Sequence, residues 1–149
     1  MDVTLPVDSA WTPVLRLDES SWLGLVGTSL YVGGLSEPKR ELDPAHPIAL
    51  LPCLERSRRS VVSELTEREA ELDRAPGSLV ATVPLGLVAS MAVLTRLDYW
   101  VLRALDWLDD GTPDEAEKLL LDEITHAEWA SQQARHRAQH VLRKYAARE

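Results

Sequence analysis

The residues whose type and spacing could do chemistry lie in the last third of the chain. His136 and His140 are four apart, which on a helix puts both imidazoles on one face. Glu123-x2-His126 has the spacing of half a carboxylate-bridged di-iron site. With His126, or a histidine delivered from elsewhere, the pair could hold one transition-metal ion. The di-iron arrangement needs a second Glu-x2-His, and the sequence has none. A helix that buries Leu120, Ile124, Ala127, Ser131, Ala134, Ala138, Val141 and Tyr145, alternately four and three apart, turns His136 and His140 away from a bundle interior. Solvated histidines and no cofactor are therefore the expectation, with a metal-dependent helical-bundle enzyme as the alternative.

The other chemical signatures are weak. Cys53 is the sole cysteine, so it forms no internal disulfide and fits a reducing cytosol. As a nucleophile it would need a distant histidine, and a buried thiol near a helix start is the plainer reading. Gly24-Leu25-Val26-Gly27-Thr28-Ser29 lacks the spacing and the lysine of a phosphate-binding loop. No Gly-x-Ser-x-Gly elbow occurs. In three residues, His46, His136 and His140, the sequence resembles DinB-type metal-binding bundles. That resemblance implies a metal held by those histidines, with His46 as third ligand beside Pro47.

A binding surface has a better-placed candidate. There is no phenylalanine, while five tryptophans carry most of the aromatic volume. On a helix, Arg96, Trp100, Arg103 and Trp107 fall within about 40–60° of one another. Guanidinium over indole is favourable, and Trp and Arg are enriched at binding hot spots. On the opposite side Leu87, Met91, Leu94, Val101, Leu105 and Leu108 form an apolar seam, with Asp98 inside it. The stripe either docks a second copy or another protein, or is covered by its own chain. The seam is core.

Charge narrows the partner classes. A net charge of −8 disfavours general nucleic-acid binding, which depends on neutralising phosphates. Residues 109–128 hold eight acids against Lys118 alone. Residues 135–148 hold Arg135, Arg137, Arg143, Lys144 and Arg148 without an acid. The macrodipole accounts for that order, and nucleic-acid contact at the basic end is the weaker alternative. Between Arg74 and Arg96 lie 21 residues without a formal charge, long enough to span a bilayer. Pro76, Gly77, Pro84 and Gly86 interrupt them, so a buried helix is expected rather than a membrane span. The N-terminus has no basic, then apolar, signal-peptide pattern, and a cytoplasmic location is expected.

These residues need elements to position them. The length suits one domain over 1–149, mainly α. An irregular segment, 1–51, is expected to pack on an antiparallel bundle, 52–149. Within the first part, Val3-Thr4-Leu5 and Val14-Leu15-Arg16-Leu17 could pair as a hairpin. A short fourth helix over 19–32 is read from Trp22, Leu25, Val26 and Leu30, with Gly24 and Gly27 against it. Residues 35–51 read as loop. Three long helices follow: from Pro52 to Ala75, from Pro84 to Gly111, and from Pro113 onward. Thr112 is the expected cap of the last, with Glu115 completing its capping box. The functional expectation is a non-enzymatic interaction protein, a regulator, adaptor or inhibitor-type partner. Its contact surface would be the Trp–Arg stripe or the acidic 109–128 region.

Overall fold

The computed structural model describes residues 10–147, and it corrects the mainly α expectation. The protein is α+β, 56% helical with 14% strand. Four strands form an antiparallel meander in the order β1-β2-β3-β4, namely β1 (Thr12–Arg16), β2 (Trp22–Val26), β3 (Ser29–Gly33) and β4 (Pro38–Glu41). The segment read as a short helix is thus the central hairpin. Val26 pairs with Ser29 around Gly27-Thr28, and Gly27 has φ 64°, the positive value that a two-residue turn with glycine first requires. The expected partner of β1, Val3-Thr4-Leu5, lies outside the described residues; β1 pairs with β2 instead.

Strand register sorts the side chains. Leu23 faces Val32 and Leu25 faces Leu30, and all four are buried. Gly24 faces Tyr31 on the other side. A Cβ on Gly24 would fall 2.6 Å from the ring of Trp11, so glycine is what lets Trp11 lie there. The Trp11 indole N–H then donates to the Gly34 carbonyl at 2.9 Å.

The helices are shorter and more broken than their periodicity implies. A 3-10 segment, Ile48–Glu55, precedes α1 (Arg58–Glu71), whose cap is Ser57 rather than a proline start at Pro52. The expected core spacing of α1 holds, since Val61 and Leu65 are buried. α2 (Ser78–Thr82) is a single short helix. The expected long helix from Pro84 is a 3-10 turn (Leu85–Leu87) and two helices, α3 (Val88–Thr95) and α4 (Asp98–Asp109). They part at Arg96, which takes the left-handed conformation with φ 54°. The last helix is likewise two, α5 (Glu115–His126) and α6 (Gln132–Ala146). Asp114 caps α5 in a capping box with Glu117, displacing the expected Thr112 and Glu115 by two residues. Ser131, placed on the seam by periodicity, is the cap of α6, accepting from the Ala134 N–H.

Side-chain pairs give the direction of packing. Asp98 accepts from the Ser131 hydroxyl at 2.6 Å, Asp106 pairs with Arg137, and Asp109 pairs with Lys144 at 2.8 Å. Both helices advance together along these contacts, so α4 and α6 run parallel with α5 as the return. Ala134 and Ala138 are buried in this arrangement. Arg135 donates to the carbonyls of Ala127 and Ala130 just after the end of α5, the first of which also accepts from the Ala130 N–H. Sheet and helices share one continuous core, from Leu15, Leu23 and Leu25 through Leu50, Leu65 and Leu79 to Leu105, Ile124 and Val141.

Candidate functional site

The breaks at 96 and 127–131 redistribute every candidate residue. The Trp–Arg stripe is not one surface. Trp107 is 1% exposed, with Arg58 5.8 Å from its ring centre. Trp100 is half-buried and meets Tyr99 edge-on at 5.0 Å. Arg103 lies over Tyr99 at 4.6 Å, and the Tyr99 hydroxyl donates to Glu55 at 2.8 Å. Arg96 is carried away by its turn and stacks on Trp129 at 5.7 Å. The 3-10 segment and the start of α1 therefore cover the side that α4 was expected to present. Among the described residues the Trp107 indole N–H has no hydrogen-bond partner, and the ring contributes packing.

The charged regions are also largely spent inside the chain. Asp110 accepts from the Arg59 N–H at 2.9 Å, at the start of α1. Glu117 is buried and takes a 3.0 Å ion pair from Arg58. On α6, Arg137 and Lys144 face Asp106 and Asp109, and Arg135 is committed to carbonyls. Arg148 lies outside the described residues. Arg137 and Lys144 thus match α4 electrostatically, while Arg143 is exposed.

The histidines are separated. His126, His136, His140 and His46 are all exposed, and His126 and His46 each lie beside an aspartate on their own segment. Among the described residues no group of three His, Cys, Asp or Glu side chains converges as a metal would require. His46 sits in the loop before the 3-10 segment, so the three-histidine set of the DinB resemblance is not assembled. Cys53 is buried, and desolvation pushes its thiol up to about 12, which keeps it protonated and unreactive at neutral pH.

Several open depressions of about 90–360 Å³ mark the described surface, and two of them are walled by α1 and by α5 respectively. The larger, about 360 Å³, lies between β1 and α1 beside Trp22. Its charged walls hold the sheet edge. Glu64 accepts from the Arg16 backbone N–H and Arg68 donates to the Pro13 carbonyl, each at 3.0 Å. Two side chains one turn apart on α1 thus occupy backbone groups that a further strand would use. This cleft is a joint between helix and sheet.

The second, about 290 Å³, is a groove between α5 and the stretch from Gly86 into α3. Leu87, Ser90, Leu119 and Leu120 line it, with Ala116 and Glu123. Leu119 is 72% exposed and Leu87 40%; Leu94, two turns beyond Leu87 and outside the lining, is 70% exposed. Leu87 and Leu94 were expected in the core seam, whereas Met91, Val101, Leu105 and Leu108 of that seam are buried as expected. The signal for the groove was present in the sequence as the charge-free run before Arg96, yet that run reads equally well as a buried helix. Comparison with protein-family models, with curated proteins and with solved structures finds no match to this chain. Function must therefore be argued from the site itself, on an α+β domain with a four-stranded meander. No helix among the described residues is long and apolar enough to cross a membrane.

Proposed function

We propose that the chain is a non-enzymatic protein-binding module of the cytoplasm, a regulator or adaptor whose working surface is the leucine groove between α3 and α5. The observation that carries this is the contrast in exposure: Leu87 and Leu119 stay in water in the groove, as does Leu94 two turns beyond Leu87, while the same helices bury their other faces. Large leucines left uncovered along a groove represent unrealised burial, of the kind a helical partner segment completes. The acidic region of the sequence reading contributes through Asp122 and Glu123, which are exposed on the same helix. The Trp–Arg stripe does not contribute, because Trp107 is inside. The lone, protonated Cys53 fits a reducing compartment.

The test is site-specific photocrosslinking. A benzophenone amino acid in place of Leu119, in cells that make the protein, yields an adduct of defined mass that disappears when Leu94→Glu is added. The same reporter at Thr66, exposed on α1, yields none. An adduct of twice the subunit mass identifies a second copy as the occupant. Equal labelling from both positions, or none from either, contradicts the proposal.

A further inference from the structure

We infer that the groove takes a basic amphipathic helix from another protein, an inference that rests on the groove being the working surface. The two walls differ in charge. The stretch from Ala75 to Thr95, which supplies the α3 wall, carries no formal charge. The α5 wall is acidic: Glu123 lies in the lining, and Glu115 and Asp122 fall within about 60° of Leu119 around the helix. Both of these acids are exposed. Of their neighbours on α5, His126 falls within about 20° of Leu119 and reaches Asp122 at 3.6 Å, while Lys118 lies about 100° from Leu119 and reaches Glu115 at 3.5 Å. Glu123 makes no ion pair among the described residues. The complement of such a groove is a segment with leucine-like side chains at helical spacing and lysine or arginine along one flank.

Length sets the size of the occupant. The α5 wall of the lining runs from Ala116 to Glu123. At 1.5 Å per residue that is about 11 Å, so the groove seats roughly two turns. A second copy fits less well. A two-fold contact through this groove would bring Glu115, Asp122 and Glu123 against their own counterparts, in a chain already at −8. The exposed face of α6, with Gln133, His136, His140 and Arg143, offers no large apolar residue to the groove of a neighbouring molecule.

The experiment titrates the intact protein into two fluorescent helical peptides of about 14 residues, followed by anisotropy. Both carry leucines at i, i+3, i+4 and i+7; one has lysines along the flank and the other has glutamates. The lysine peptide is expected to bind at least about tenfold tighter, with affinity falling as salt rises. Replacing Asp122 and Glu123 together by Asn and Gln narrows that gap, and Leu119→Glu removes binding of both peptides while circular dichroism shows the fold intact. Two results overturn the inference: equal binding of the two peptides, or undiminished binding of the lysine peptide to Leu119→Glu. If the Leu119 reporter still captures a partner under either result, the groove stands and only the partner's chemistry fails; if it captures nothing, both fail.

Discussion

The two sides of the segment from Leu85 to Asp109 invert what their residues advertise. One side, carrying Trp107 and Arg103 on α4, has the composition of a binding hot spot, yet the Trp107 ring is buried beneath Arg58 and the Tyr99 hydroxyl is held by Glu55, leaving a depression of about 330 Å³ beside Arg103 and Asp106. The other, carrying Leu87 and Leu94 on the 3-10 turn and α3, has the composition of a core and stays open. The inversion follows from the turn at Arg96. A continuous helix would keep Leu87, Leu94, Val101 and Leu108 in line; the left-handed residue redirects the chain, so that the last two face inward while the first two do not. Residue type reports how much free energy a face can release on burial. It does not report whether the face is already buried.

This contrast can be broken most severely at Trp107. Trp107→Ala should destabilise by about 3–5 kcal/mol in denaturant unfolding. Trp107→Phe should cost about 1.5 kcal/mol or less, because the indole N–H it removes has no partner among the described residues. Near-equal losses for the two would mean that the indole makes a polar contact. The parallel packing of α4 and α6 is the next target. Ala134 is fully buried, and Ala134→Leu should lower stability by about 1–3 kcal/mol through overpacking; an unchanged melting temperature would contradict the tight crossing.

Glu69 holds a separate joint, between α1 and α2. Its buried carboxylate accepts from the N–H groups of Gly77, Leu79 and Val80 at 2.8, 2.7 and 3.2 Å, joining the end of α1 to the start of α2. The bond from Gly77, ahead of those from Val80 and Leu79, holds its pKa below the ordinary 4.5. A carboxylate with a lowered folded pKa adds stability above its ordinary pKa and loses it as pH falls through the folded value. Glu69→Gln should therefore lower the melting temperature at pH 7 and differ progressively less from the parent below pH 4.5. A constant difference across that range would mean the charge is irrelevant. The smallest effect belongs to the open side: Leu119→Ser should stay within about 0.5 kcal/mol of the parent. A loss of several kcal/mol would place Leu119 in the core.

Parts of this were legible in the sequence. The α1 core at Val61 and Leu65, the stop at Gly111 and the small-residue seam through Ala134, Ala138 and Val141 follow from spacing alone. The sheet was less so, because Trp22, Leu25, Val26 and Leu30 satisfy helical spacing as well as strand pairing. The deciding residues were Gly24, which admits the Trp11 ring, and Gly27, which takes the turn. The break at Arg96 carries no compositional mark at all, since a left-handed arginine is selected by the packing around it. The groove inherits that obscurity on one wall: Leu87 and Leu94 lie on a charge-free run that reads as core, and the break separates them from the buried Val101 and Leu108.

Residue-resolved hydroxyl-radical footprinting of the isolated protein tests the inversion most directly. Normalised to the intrinsic reactivity of each side chain, Leu94 and Leu119 should label near the rate of an unfolded reference, and Trp107 should be strongly protected. Protection of the two leucines together with ready oxidation of Trp107 would contradict the account, and would return the binding surface to the tryptophan side of α4.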